Sequence, residues 1–239
     1  MGILYLVRHA QASFLQPNYD KLSPLGETQS RLLGEHWAQR KIIFDRVAIG
    51  PCARHKDTVK LVSAAYHQAD LDFPEPQTLP EFDEYRAEEV LRATLPALLE
   101  KDHKIRDLHA AFQTAADTTT QRKTFHKLFS AVIGDWVRGV ISLEGVEAWQ
   151  EFCARVNSGL TRFLSAEKRG ERIAIFTSGG PIAVATQRAL HLSPESTLEM
   201  TWMSRNSSWS EFLYNTERFT LSSFNVHEHI ADSAMLTYR

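Results

Sequence analysis

Three polar signals in this chain stand directly behind short apolar runs. Arg8-His9 follows residues 3–7, Arg54 follows residues 43–49 across Gly50-Pro51, and Ser178-Gly179-Gly180-Pro181 follows residues 172–177. Guanidinium groups match phosphate oxygens bidentately. The free N–H groups at a helix N-terminus favour an anion, and Pro181 suits a first helical turn. Two arginines, a histidine and a glycine-rich helix start are therefore the parts of an anion pocket. Each signal is weak alone: Arg-His behind a strand is an ordinary loop pair, Arg54 an ordinary solvated helix residue, and Ser-Gly-Gly-Pro an ordinary turn. Their weight depends on whether the elements behind them meet.

Residues 3–7 form a short, continuously apolar run, the pattern of a parallel strand buried on both faces, and residues 43–49 and 172–177, short and mostly apolar, resemble further strands. Residues 8–24 are polar and turn-rich, with Pro17, Asn18, Asp20, Ser23 and Pro24. Helices are expected over about 23–41, with Leu25, Leu32, Leu33 and Trp37 on one face, and over 53–69, 146–169 and 181–191. Gln77-Thr78-Leu79 reads as a short strand, and two more strands are expected near 209–214 and 218–224. The stretch 87–146 is helical in pattern, rich in Ala, Leu and Lys, without an obvious strand. Strands alternating with helices predict an α/β fold: a three-layer sandwich, with a mainly parallel central sheet and helices on both faces. The expected organisation is one domain over 1–239 with a helical insertion at about 87–146. In such sheets ligands bind at the carboxyl ends of the strands, where all three signals fall. The insertion is expected to cover the pocket and set specificity.

Composition narrows the partners. The chain has 239 residues, 43% hydrophobic and 23% charged, with a formal net charge of −2. General electrostatic binding to nucleic acid or an anionic membrane is not expected, so any phosphate must meet a local positive cluster. No apolar run is long enough to span a bilayer. The opening MGILYLVRHA has no basic region before its apolar stretch and reads as a strand rather than a signal peptide. Cys52 and Cys153, without a CxxC, read as reduced thiols of a cytoplasmic protein. No H-E-x-x-H or similar ligand set is present, and neither a metal nor another cofactor is expected.

The ordered motifs resemble those of the histidine phosphatase superfamily, the phosphoglycerate mutase-like fold. Residues 6–13 (LVRHAQAS) resemble its opening R-H-G segment, and residues 22–29 (LSPLGETQ) the segment that follows. Residues 51–58 (PCARHKDT) resemble S-P-L-x-R-A-x-Q-T-A, keeping the proline, arginine and threonine. Leu79-Pro80-Glu81 resembles L-x-E. Glu147-Ala148-Trp149 with Phe152 and Arg155-Val156 resembles the E-S-W…R-V helix. Residues 175–182 (IFTSGGPI) resemble V-V-S-H-G-G-P-I, and Asn206-Ser207-Ser208 resembles a late N-x-S element.

The resemblance implies a phosphomonoester hydrolase working through a phosphohistidine on His9. Arg8 and Arg54 would hold the phosphoryl oxygens with Ser178 and the Gly179 amide. Glu81 would protonate the leaving group, with Glu84 the runner-up acid. The partner implied is a small phosphorylated substrate; oligomeric state stays open. Several positions depart from the family pattern: Ser178 stands where a second histidine is usual, Ala10 where glycine is, and Gly50 where serine is, and the segment after Glu81 lacks the glycine and tryptophan often seen there. His227 and His229 are candidates, by residue type alone, to replace the missing histidine. Ser178 motivates an alternative, a weak or inactive phosphate-binding regulatory module; a phosphomutase is a further one. A serine hydrolase elbow needs G-x-S-x-G, and position 176 is Phe. A cysteine phosphatase would need an arginine several residues beyond its cysteine, and Arg54 follows Cys52 too closely.

Overall fold

A computed structural model describes residues 1–13, 20–165 and 170–238. Pro17 and Asn18 of the turn-rich stretch lie outside the described residues, as does the end of the helix expected over 146–169. The chain forms two compact units, Met1–Glu84 with Arg155–Arg239, and Tyr85–Ala154.

The first unit opens with β1 (Gly2–Arg8), α1 (Pro24–Gln39), β2 (Arg46–Ile49), α2 (Ala53–Gln68), β3 (Gln77–Thr78) and a 3₁₀ turn at Pro80–Phe82. The second unit holds α3 (Ala87–Lys101), α4 (His103–Gln113), α5 (Thr118–Val137) and the first residues of α6 (Trp149–Ser165). The first unit resumes within α6 and continues through β4 (Arg172–Thr177), α7 (Gly179–Leu190), α8 (Pro194–Met203), β5 (Trp209–Tyr214) and β6 (Phe219–Val226).

The strand order is β3-β2-β4-β1-β5-β6. The first four strands are mutually parallel, β5 runs antiparallel to β1, and β6 runs antiparallel to β5. The register explains the apolar runs. Tyr5 and Val7 of β1 pair with Ala174 and Phe176 of β4, which pair in turn with Val47 and Ile49 of β2. This face packs on Leu33 and Trp37 of α1 and on Val59, Val62 and Tyr66 of α2 in one buried cluster. Leu4, Leu6, Ile173, Ile175 and Phe212 form the other face and are equally buried. There Phe212 stacks on Phe219, over which lies Arg188 of α7. The sheet is thus mainly parallel with helices on both faces, as expected. Burial of both faces is why its central strands are apolar throughout rather than alternating.

Some boundaries differ from expectation. β2 starts at Arg46, because Phe44 turns into the core and Asp45 Oδ2 accepts from Arg172 N at 2.8 Å. α6 starts at Trp149, after Gly145 in a left-handed conformation (φ 76°) closes the preceding turn. α8 was not expected, although Ser193-Pro194-Glu195 is a start signal and Ser193 caps Ser196 N. The second unit is held by Ile105, Leu128 and Val132, and by the rings of Tyr85, Trp136 and Trp149. Among the described residues no helix is long and apolar enough to cross a membrane.

Candidate active site

Because β4 lies between β1 and β2, the carboxyl ends of all three open at one edge. His9 is the residue after β1 and is 5% exposed. Its backbone is held from several directions. His9 N donates to Thr177 O at 2.8 Å, and His9 O accepts from Ser207 N and Asn206 Nδ2, both at 3.2 Å. Ala10 N donates to Thr58 Oγ1 of α2 at 3.1 Å. One residue further, Gln11 N donates to Gln29 Oε1, and a Cβ on Gly26 would stand 2.1 Å from Gln11 O. Gly26 is therefore required for the close approach of α1 to this loop. Ala10 is not in a left-handed conformation, so the usual glycine is not needed there.

The His9 ring is chemically committed. Nδ1 lies 2.7 Å from Ala10 O. A carbonyl only accepts, so Nδ1 carries the proton and Nε2 carries the lone pair of the neutral ring. Burial holds the pKa of His9 well below the ordinary histidine value, reinforced by the positive charges of Arg54 and Arg8. Both arginines are buried. Arg8 donates to Ser204 O, and Arg54 pairs with Asp20 Oδ1 at 2.8 Å. Asp20 also accepts from Ala53 N at 2.7 Å, which fixes Arg54 at the start of α2.

Ser178 faces this group from the end of β4. It is the N-cap residue of α7, yet its side chain makes no cap hydrogen bond. Its Oγ lies 2.7 Å from His55 Nε2 and accepts from Arg54 Nη2 at 3.3 Å. A Cβ on Gly179 would stand 2.8 Å from Thr201 O, so glycine is needed where α7 meets α8. His9, Arg8, Arg54, Ser178 and Gly179 therefore share one corner. The two acids part company. Glu81 Oε1 pairs with Arg162 of α6 at 2.5 Å, while Glu84 Oε2 accepts from Gly180 N at 3.1 Å, two residues from Ser178. Neither terminal histidine is paired with Ser178. His227 Nδ1 lies 2.9 Å from Asn225 O, and His229 Nε2 lies 2.8 Å from Ser207 Oγ, with its pKa lowered to about 3 by burial.

Comparison with known proteins identifies the family and the fold. The model of the histidine phosphatase superfamily (branch 1) matches residues 85–227, more than half of the chain. The chain belongs to the histidine phosphatase superfamily. The fold is shared with solved structures of low identity. An α-ribazole phosphatase from Shigella flexneri is 20% identical, with a TM-score of 0.61 over 94% of this chain and 96% of that one. A phosphoglycerate mutase from Bacillus anthracis is 17% identical, with a TM-score of 0.63 over 95% and 94%. A mycobacterial glucosyl-3-phosphoglycerate phosphatase is 16% identical, with a TM-score of 0.62 over 95% and 99%. A search of curated protein sequences finds no match.

In this histidine phosphatase, two residues at the corner were not expected from sequence. His55 has one sequence signal: it stands where the family pattern has alanine. Asp20 has none, because an acidic residue in a turn is usually solvated. Cys52 donates to Asp83 Oδ1 at 3.1 Å, and burial pushes its thiol up to about 12. It is no thiolate nucleophile at neutral pH.

Proposed function

We propose that the protein hydrolyses small phosphomonoesters through a phosphohistidine on His9. The observation that carries this reading is the ring of His9, buried beside two arginines and neutral, with its lone pair on Nε2. Nε2 attacks phosphorus and the ester P–O bond breaks. Arg8, Arg54, Ser178 and the Gly179 amide hold the phosphoryl oxygens, where fixed donors supply most of the catalysis. Glu84 gives its proton to the leaving oxygen. Water then attacks phosphorus, the N–P bond breaks, and Glu84 takes the water proton. Glu84 is preferred to Glu81 because its carboxylate sits at the start of α7 beside Ser178, whereas Glu81 is engaged with Arg162.

The substrate class is a small phosphorylated metabolite rather than a nucleic acid, consistent with a net charge of −2. The solved relatives include phosphatases and a mutase; hydrolysis is preferred because the segment after Glu81 lacks the glycine and tryptophan often seen in the family. We read the chain as one domain with a helical insertion at about 87–146. We assign it to the cytoplasm, where Cys52 and Cys153, both free, stay reduced. Incubation with an aryl phosphate, rapid quenching and detection of an acid-labile phosphoryl-protein test the reading. The label should form in the parent protein and be absent from His9→Ala; turnover that survives His9→Ala overturns the nucleophile.

A further inference from the structure

His55 has no exposed surface. Burying an imidazole is costly unless its polar atoms are used, and Nε2 is used on Ser178 Oγ at 2.7 Å. The ring also needs room. A Cβ at position 50 would stand 2.4 Å from His55 Nδ1 and 2.4 Å from Phe82 O. Gly50, His55 and Ser178 are therefore one arrangement: the glycine admits the ring, and the short serine lets the ring reach it. Ser178 is held away from capping α7, and Glu84 accepts from Gly180 N at that helix start instead.

We propose that His55 is a positioning residue for phosphoryl transfer, holding the Ser178 hydroxyl so that its proton is presented to a phosphoryl oxygen on His9. This rests on the phosphohistidine reading above. A serine hydroxyl has one donor and two acceptor sites. Arg54 Nη2 can only donate, and it fills one acceptor site. When His55 donates its Nε2–H, the second is filled and the O–H must point elsewhere. The His9 ring lies close by, 5.7 Å from the His55 ring between centroids. A phosphoryl group on His9 offers only acceptors and so selects this tautomer. The chain N–H to O–H to phosphoryl oxygen is polarised along its length. Burial and Arg54 hold the pKa of His55 well below the ordinary value, so the ring carries one N–H rather than two. The opposite role, His55 as base for a nucleophilic Ser178, is disfavoured. Arg54 donates to the same oxygen, and among the described residues it is the Gly50 backbone rather than a carboxylate that stands against His55 Nδ1, so the acid that stabilises a charged imidazole in a nucleophile–base pair is missing.

The test uses the full chain with 4-nitrophenyl phosphate as substrate and orthovanadate as transition-state mimic. Ser178→Ala and His55→Phe, which keeps a ring against Gly50, should each lower kcat roughly 10- to 100-fold with little change in KM. Each should weaken vanadate binding by a similar factor, and phosphate binding by a smaller one. The double variant should be no slower than the slower single variant, because both remove one chain of hydrogen bonds. His55→Gln, which keeps an N–H, should recover part of the rate. Parental kcat in Ser178→Ala or His55→Phe, or losses that multiply in the double variant, would overturn the proposal. If His55→Phe melts early, Ser178→Ala and His55→Gln decide it on the same criteria. Turnover that survives His9→Ala and dies in Ser178→Ala would overturn the phosphohistidine reading as well. Loss in His9→Ala with multiplying losses at 55 and 178 overturns this inference alone.

Discussion

The two walls of the corner are built differently. The wall at the end of β1 is fixed by backbone: His9 N, His9 O and Ala10 N are all engaged, to Thr177, to Asn206 and Ser207, and to Thr58. The wall at the end of β4 is built from side chains, with Ser178 Oγ set by His55 and Arg54. Most departures from the family pattern at the corner fall on the second wall: Gly50, His55 and Ser178. Backbone bonds tie a residue's position to the fold, so His9 can change only with the sheet edge itself. Side-chain bonds can be exchanged, provided the exchange is concerted and leaves no buried polar atom stranded.

The comparison can be broken at several strengths. Removing the fixed wall's product, in His9→Ala, should lower kcat/KM for an aryl phosphate by a factor on the order of 10⁴ or more. Next comes the acid. Glu84→Gln should lower kcat roughly 10²- to 10³-fold, while Glu81→Gln should cost no more than about threefold. Steady-state rates that reverse that order would return the acid role to Glu81. Gly26→Ala strikes the backbone wall without touching a reactive atom. Its Cβ would meet Gln11 O at 2.1 Å, and such overpacking typically costs about 1–3 kcal/mol. Urea unfolding should show that loss, and activity should fall with it. Smallest near neutrality is the effect of pH. His9 and His55 are neutral when folded, with pKa values depressed by burial. Below about pH 6.5 the unfolded chain takes up protons that these rings refuse. Stability should therefore be flat from that pH up to about pH 8.5, where unfolded thiols ionise, and fall below about pH 6.5 by about 1.4 kcal/mol per pH unit for each ring. His55→Phe should show a shallower fall, and kcat/KM of the parent should have no break near pH 6.5.

Much of the fold was legible because it rests on periodicity and punctuation. The run at 172–177 is β4 to the residue, since the unbroken apolar stretch Ile173-Ala174-Ile175-Phe176 at its centre declares a strand buried on both faces. Ser23-Pro24 marks the start of α1, whereas α7 starts at Gly179, two residues before the expected 181. β2 was read too long, because Phe44 is as apolar in a turn as in a strand. At the corner, Arg8, His9, Arg54 and Ser178 were legible through motif order. The direction of Glu81 was not: three carboxylates within residues 81–84 look alike until Arg162, far along the chain, takes one of them. Nor was His55 legible, because its meaning comes from space at Gly50 and reach to Ser178, and neither is a property of neighbours in sequence. The histidines weighed for that role, His227 and His229, are occupied with Asn225 and Ser207.

The hydrogen bond from Asn206 to His9 joins residues 197 positions apart. Asn206 is itself held by Thr237, whose backbone oxygen accepts from its amide and whose hydroxyl donates to its side chain. The seat of His9 is thus a relay: Thr237 holds Asn206, and Asn206 holds the His9 carbonyl. A substitution at Thr237, far from the corner in sequence, should therefore loosen the very loop that presents the imidazole.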